Sequence, residues 1–430
     1  MISVEMEDVL AVLQLCKPYI ISIIAALVIG IVIMIACRRM SRGKKFLIRG
    51  EAAIAMVLAV VVCVNMICFG PMATLIGLAT GNGTLSDETN EEAAEVAEEI
   101  MEDGIVLLKN ESLLPLNETK KLNIFGWESI NPAYGGAGSG INDLYDIVSL
   151  NQGLENAGFS INQELVDFYN NYGADNPEMS IQKQSWTLPE PPVDTYSDEL
   201  IKSAKEYSDV AVVVLSRKAG EGHNDIPMDV RKAAYDNNSD EYDDFPEGEH
   251  YLQLSQTERD MVDMVCSNFD NVIVVYNGAN QFELGFADEY PQIKSVVWCP
   301  GTGNVGFNAL GKVFSGEVNP SGKTPDTFIY DMTTAPWWNN AEKTEYTNLA
   351  DMAVEGMNAG TAQVYAPAFT NYVEGIYVGY KYYETAAQEG AIDYDKTVQY
   401  PFGYGLSYTE FEQKMGELEE KDGQISVDVE

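Results

Sequence analysis

The stretch Val210-Ala-Val-Val-Val-Leu-Ser-Arg-Lys-Ala-Gly-Glu-Gly222 runs from six apolar residues straight into a polar turn flanked by glycine. A continuous Val/Leu run, rather than an alternating one, marks a strand covered on both faces, as in a parallel sheet. Residues 105–108, 122–125, 272–276 and 293–298 are further apolar runs of strand length. Helical patterns separate them at 91–103, 146–157, 197–208, 255–268 and 304–314. Ser255-Gln-Thr-Glu258 opens one of these with the Ser-x-x-Glu form of a capping box. The alternation predicts an α/β fold, an open and mostly parallel sandwich. In such folds ligands gather beyond the carboxyl ends of the strands, so the loops after strands are where function is sought.

The region before this pattern has a different chemistry. Residues 18–37 are uncharged, about the length that crosses a hydrocarbon core as a helix. Residues 52–80 form a second uncharged run, with Asn65 and Pro71 inside it. Six basic residues (Arg38, Arg39, Arg42, Lys44, Lys45, Arg49) fall in the segment 38–50 between the runs. The expectation is a membrane anchor over 1–80, with helices at about 18–37 and 52–79 joined by a basic loop. The positive-inside rule puts that loop in the cytoplasm, making the chain a multi-pass protein of the cell membrane with its α/β domain on the extracellular side. A signal peptide fits less well, because an acidic segment leads and two long runs follow.

Charge follows the same division. The chain of 430 residues has a net charge of −40, yet residues 1–50 carry seven basic and three acidic groups. The remainder holds 19 basic against 63 acidic groups, a net of −44. Nucleic acid is excluded as an expected partner, since phosphate binding needs a basic face. A hydrophobic share of 46% with 10% aromatics builds a large core. Four of the six cysteines (16, 37, 63, 68) lie in the apolar region, which leaves Cys266 and Cys299 as buried free thiols in apolar contexts.

Three loops after strands carry candidate chemistry. The first ends Tyr134-Gly-Gly-Ala-Gly-Ser-Gly140, where glycine density lets backbone approach a ligand closely; a surface turn has the same composition. The second presents Glu221 between Gly220 and Gly222, with Arg217, Lys218 and His223 close in sequence. A carboxylate on such a loop is positioned to donate or accept a proton, although most loop glutamates are only solvated. The third, Gly301-Thr-Gly-Asn-Val-Gly306, spells G-x-G-x-x-G between a strand and a helix. Asp326, at about the spacing of a ribose-binding acid, starts a strand instead of ending one, so a tight strand-to-helix turn is expected. Trp127, Trp186, Trp337 and Trp338, and four tyrosines in 377–383, are either sugar platforms or core. The acidic segment 236–249 lacks the EF-hand pattern and reads as a solvated loop. Two histidines and no carboxylate cluster of ligand spacing imply no metal, and no cofactor is implied.

Five motifs in order now resemble a known family. Gly104-Ile-Val-Leu-Leu-Lys-Asn-Glu-Ser-Leu-Leu-Pro-Leu116 looks like the entry to the C-terminal α/β sandwich domain of glycoside hydrolase family 3. Gly135-Gly-Ala-Gly-Ser-Gly140 is similar to that family's glycine loop. Ala219-Gly-Glu-Gly222, Asn319-Pro-Ser-Gly-Lys-Thr-Pro325 and Tyr400-Pro-Phe-Gly-Tyr-Gly-Leu-Ser-Tyr408 continue the series. The resemblance covers about residues 93–410 and implies a six-stranded sandwich paired with a (β/α)8 barrel. It implies a retaining, β-glucosidase-like exo-glycosidase acting on a β-linked oligosaccharide or glycoside. Glu221 is then the catalytic acid/base, and Tyr134, Gly135, Gly136, Gly138, Ser139, Gly140, Gly220 and Gly222 wall the sugar site. His223 and Asp225 shape the loop. The usual Pro-Gly-Gln-Glu-Gly-Gly stretch is replaced by Pro300-Gly-Thr-Gly-Asn-Val-Gly306, so specificity does not carry over from it.

The nucleophile of the resemblance is an aspartate on the barrel, commonly before tryptophan, and no Asp-Trp pair occurs here. No stretch supplies eight strand–helix repeats for a barrel. One subgroup of the family is permuted, with the sandwich first, then a fibronectin-like module, then the barrel. This chain resembles the front half of such a protein, behind a linker at 81–92. Residues 411–430 are expected to start the fibronectin-like module, with 425–430 a strand that has no partner. On that reading the chain alone is inactive, because the barrel is absent. The alternative is a non-catalytic membrane-anchored module that binds sugar or a partner.

Overall fold

A computed structural model describes residues 6–73, 76–77, 86–136, 147–175, 188–218, 230, 235, 237–340, 344–345, 347–358, 361–365, 368–369, 371–410 and 412–430. The chain divides into two compact units, one of 1–87 with 345–368 and one of 88–344 with 369–430.

The first unit holds two long helices, α1 (Met6–Ala36) and α2 (Arg42–Cys68). Both are long and apolar enough to cross a membrane. They differ from the expected bounds. The helix of α1 begins well before residue 18 and passes through Pro18, at the cost of a ladder bond that proline cannot donate. The basic segment is not a 13-residue loop: Arg42–Gly50 forms the first turns of α2, since Lys and Arg are good helix formers. A short 3-10 turn, Cys37–Arg39, and then Met40 and Ser41 make the connection. At its other end α2 stops at Cys68 rather than near 79, because Gly70 and Pro71 follow at once and proline ends helices. The helices pack closely at Gly30, where a Cβ would lie 2.3 Å from the Met56 sulfur. The Arg49 guanidinium donates from Nε and Nη2 to the Met34 carbonyl, at 3.1 and 3.0 Å.

The second unit opens with helix α3 (Asp87–Gly104), so the helix starts inside the segment expected to be a linker. A six-stranded sheet follows: β1 (Val106–Asn110), β2 (Lys121–Phe125), β3 (Ser160–Ile161), β4 (Val210–Arg217), β5 (Asn271–Gly278) and β6 (Ile293–Cys299). Their order is β1-β6-β5-β4-β2-β3, with β1 antiparallel to β6 and the other pairs parallel. β4 and β5 pair in unbroken register from Val210↔Asn271 to Arg217↔Gly278.

Helices α4 (Leu150–Asn156), α5 (Gln163–Asp175), α6 (Asp198–Tyr207), α7 (Gln256–Asn268) and α8 (Phe307–Ser315) connect the strands. Two apolar clusters result, one on each face. Val213, Leu215, Val274 and Tyr276 pack with Leu165, Met261 and Val265 on one side. Val212, Val214, Ile273 and Val275 pack with Leu150, Leu154, Leu310 and Phe314 on the other. Alternate residues of β4 thus enter opposite cores, which explains its uninterrupted apolar sequence. The Ser255–Glu258 capping box forms at the start of α7. Cys266 and Cys299 are free and buried, and burial pushes both thiols up to about 12.

Two of the family-like motifs are structural. Gly403 N–H donates to the Thr324 carbonyl (2.7 Å) and Thr324 N–H donates to the Tyr404 carbonyl (2.8 Å). A Cβ on Gly405 would lie 2.1 Å from the Gly322 carbonyl oxygen, and Leu406 N–H donates to Leu107 of β1. Asp326 precedes the short strand β7 (Phe328–Ile329), which pairs with β8 (Val398–Tyr400).

The carboxyl-terminal strand corrects one expectation. β9 (Met415–Lys421) pairs antiparallel with β10 (Gln424–Val429), so that strand has a partner. The missed signal is Asp422-Gly423, both at positive φ (54° and 75°), the two-residue turn of a type I′ hairpin.

Candidate active site at the carboxyl ends of the strands

The carboxyl ends of the parallel strands β2, β4, β5 and β6 lie along one edge of the sheet. Gly126, at φ 100°, turns the chain off β2 so closely against β4 that a Cβ there would lie 2.2 Å from the Val214 carbonyl oxygen. A chain of hydroxyls holds that turn. Gly126 N–H donates to Tyr169 Oη (2.6 Å), the Tyr169 and Tyr196 hydroxyls share a hydrogen bond (2.7 Å), and Tyr196 donates to Glu190 Oε1 (2.6 Å). Glu190 Oε2 closes the circuit by accepting from Trp127 N–H (2.7 Å). Burial pushes the Glu190 carboxyl up to about 8, against the lowering effect of those two hydrogen bonds.

Glu128 follows in the same turn and is buried, and its Oε2 has no hydrogen-bond partner among the described residues. Burial pushes it up to about 7, while the positive charges of Lys218 and Arg217 hold it lower than burial alone would.

The end of β4 is anchored by Arg217, which is fully buried. Its Nη1 and Nη2 donate to Glu258 Oε1 and Oε2 (2.8 and 2.6 Å), a bidentate fork. Nε, Nη1 and Nη2 also donate to the carbonyls of Tyr251 (2.5 Å), Ser216 (2.8 Å) and Gln253 (2.6 Å). The guanidinium lies over the rings of Phe282 and Tyr251, 4.7 and 5.1 Å from their centroids. Glu258 belongs to α7, whose capping box it completes by accepting from Ser255 N–H (2.9 Å).

Asn277, at the end of β5, ties two further loops together. Its Nδ2 donates to the carbonyls of Ala133, Cys299 and Pro300, and its Oδ1 accepts from Ala133 N–H (2.6 Å). The glycine loop therefore begins against the turn after β6. Gly303 N–H donates to the Tyr134 carbonyl (2.6 Å), and a Cβ on Gly301 would come within 3.3 Å of Gly135 Cα. Residues 301–306 form the turn from β6 into α8, with Gly303 at φ 58°.

Of the sequence-derived site residues, Tyr134, Gly135 and Gly136 lie at this edge. The Tyr134 ring packs edge-on to Phe307, with centroids 5.6 Å apart. Gly138, Ser139, Gly140, Gly220, Glu221 and Gly222 lie outside the described residues, as do His223, Asp225 and Trp186. Trp127 is core, its ring lying where a Cβ on Gly173 would sit. Trp337 and Trp338 pack against the cluster of Leu252, Ile329, Met332 and Tyr383. Asp244, from the acidic segment 236–249, is buried and accepts from Thr257 N–H (2.8 Å) and from the Tyr235 hydroxyl. Among the described residues no group of three or more His, Cys, Asp or Glu side chains is disposed to hold a metal ion.

Glu128, Glu190 and Asn277 were not singled out from the sequence, and Glu258 reads there only as a helix cap. Only Asn277, a polar residue closing an apolar run, and Glu190, set among prolines in Leu188-Pro-Glu-Pro-Pro192, carried a local signal.

Residues 105–380 match the family model of the glycosyl hydrolase family 3 C-terminal domain. The chain belongs to glycosyl hydrolase family 3. It is 31% identical over 327 residues to a beta-glucosidase of Ruminococcus albus, covering 75% of this chain and 29% of that protein. Over 316 residues it is 33% identical to beta-glucosidase A of Butyrivibrio fibrisolvens, covering 72% and 34%. The structure of beta-glucosidase 3B from Thermotoga neapolitana in complex with glycerol matches with a TM-score of 0.59 at 29% identity, covering 79% of this chain and 41% of that one. A beta-glucosidase from Paenibacillus barengoltzii gives the same TM-score and identity over 78% and 32%. This family 3 chain thus spans about a third of the length of the curated relatives it matches.

Proposed function

We propose that this chain supplies the acid/base half of the active site of a membrane-anchored, retaining β-glucosidase-like exo-glycosidase. The observation that carries the reading is the anchoring of β4. Arg217 is clamped by Glu258 and three carbonyls immediately before the Gly220-Glu221-Gly222 segment. Lys218, three residues before Glu221 in sequence, follows directly on that clamp, and three residues span at most about 11 Å. Family membership and the similarity to beta-glucosidases support the chemistry.

In this mechanism Glu221 protonates the glycosidic oxygen as its bond to the anomeric carbon breaks. It then removes a proton from the water that releases the glycosyl-enzyme. A second carboxylate, from the barrel that the resemblance implies, attacks the opposite face of the sugar from about 5–5.5 Å away. The glycine loop of Tyr134, Gly135, Gly136, Gly138, Ser139 and Gly140, with Gly220 and Gly222, walls the sugar. The apolar helices α1 and α2 anchor the protein as a hairpin, its basic connection in the cytoplasm and the α/β unit outside. The expected domain limits (1–80, 81–92, 93–410 and 411–430) belong to the same proposal.

The test is Glu221→Ala in the protein that carries both carboxylates. Turnover of an aryl β-glucoside should vanish and return in part with azide, which attacks the glycosyl-enzyme directly. An unchanged rate would remove Glu221 from the mechanism.

A further inference from the structure

A cavity of about 360 Å³ lies apart from the loops described above, near the lower end of the range typical of small-molecule sites. Its walls include Gln253, Arg259, Glu283, Phe286, Glu289 and Tyr330. These come from the start of α7, the segment after β5 and the residue after β7. The wall is tied to the rigid end of β4, since the Gln253 carbonyl accepts from Arg217.

Two of its polar groups are fixed or poised without being used up. Glu283 is held through Oε1 alone, which accepts from His250 Nε2 (3.0 Å) and Met332 N–H (2.6 Å). His250 Nδ1 accepts from Leu252 N–H (3.2 Å), so the ring proton is on Nε2, and the ring packs edge-on against Trp338. Glu283 Oε2 has no hydrogen-bond partner among the described residues. The Arg259 guanidinium likewise makes no hydrogen bond or ion pair among them, although the chain carries 66 acidic groups to 26 basic ones. Gly285 lets an aromatic wall form beside them: a Cβ there would lie 2.8 Å from Tyr330 Cδ1.

This set discriminates by charge. A simple anion meets two carboxylates, and a simple cation meets a guanidinium. A neutral polyhydroxylated ring satisfies both, because each hydroxyl donates as well as accepts. Its apolar face has Tyr330 to lie against. We propose that this cavity is a carbohydrate subsite that takes a neutral pyranose, with Arg259 donating to its hydroxyls and Glu283 Oε2 accepting from them. The choice of a sugar over another polyol rests on the function proposed above; the cavity and its unpaired groups do not.

Titration calorimetry of the full chain in a non-glycosidic detergent, with methyl β-D-glucopyranoside as the probe, tests this. Saturable binding is expected. Arg259→Ala should weaken it by at least about tenfold, the scale of one charge-assisted hydrogen bond. A loss of affinity in Arg259→Ala, which lies outside the acid/base segment, separates this proposal from the acid/base assignment. Glu283→Gln should also weaken binding, but it touches His250 and Met332. Arg259→Ala removes no bond among the described residues and keeps the test decisive if the other variant misfolds. Absence of saturable binding, unaltered binding by Arg259→Ala, or displacement of the sugar by inorganic phosphate would each overturn the proposal.

Discussion

Replacing Arg217 by methionine keeps the aliphatic stem in its buried slot and removes the guanidinium. The loss is then calculable from the contacts. Glu258, nearly inaccessible to solvent, is left as a buried carboxylate without its cation. Breaking such a pair from one side costs about 3–5 kcal/mol. The Tyr251 and Gln253 carbonyls lose their donor as well, adding about 1 kcal/mol each. The expected total of about 5–7 kcal/mol rivals the whole stability of an ordinary domain, about 5–15 kcal/mol. Urea unfolding followed by tryptophan emission measures it, since Trp127 and Trp298 are both buried in the α/β unit. The double variant Arg217→Met/Glu258→Gln should recover about 2–3 kcal/mol, because the amide removes the orphaned charge and its oxygen can still accept from Ser255 N–H. A loss below about 1 kcal/mol in the single variant, or no recovery in the double one, would refute the view that this pair anchors the end of β4.

Two further outcomes follow from the same edge and from the core beneath it. Glu128 and Glu190 hold protons in the folded chain up to about 7 and about 8, against an ordinary 4.5. The folded state therefore binds more protons than the unfolded one between those values, and the stability from these groups is lost as pH rises from about 4.5 to about 8. Glu128→Gln should flatten that decline by about 3 kcal/mol in denaturant titrations across the window; a variant with the wild-type pH slope would sink the assignment. Gly153 and Gly311 let α4 and α8 touch, with a Cβ on Gly153 falling 2.2 Å from the Phe307 carbonyl oxygen. Gly153→Val should cost about 3 kcal/mol of stability, read from the urea midpoint; a change confined to a few tenths would show that the helices have room to separate.

The apolar runs were legible because hydrophobic periodicity is local: 210–215, 272–276 and 293–298 needed only their own residues to declare buried strands. The capping box at Ser255–Glu258 was legible for the same reason. Elements with weaker patterns were not. The two-residue β3 has no periodicity to read. β9 was obscured by Glu417, Glu419 and Glu420, and its Asp422-Gly423 turn went unrecognised. The basic segment after Arg38 reads as a loop on its charge, although charge does not prevent helix.

Sequence by itself determined the strand–helix alternation, the two apolar helices, the family motifs and the candidacy of Glu221. Tertiary structure alone decided the partners of that edge. Glu258 reads as a helix cap, but its pairing with Arg217, 41 positions away, exists only because β4 and α7 converge. Asn277 reaches Ala133 across 144 positions for the same reason. The Asn319–Pro325 and Tyr400–Tyr408 motifs, recognisable one by one, became a single clasp only when β1 brought them together. Local pattern is set by burial along one element; the direction and pairing of a polar side chain are set by whichever distant group needs it once water is gone.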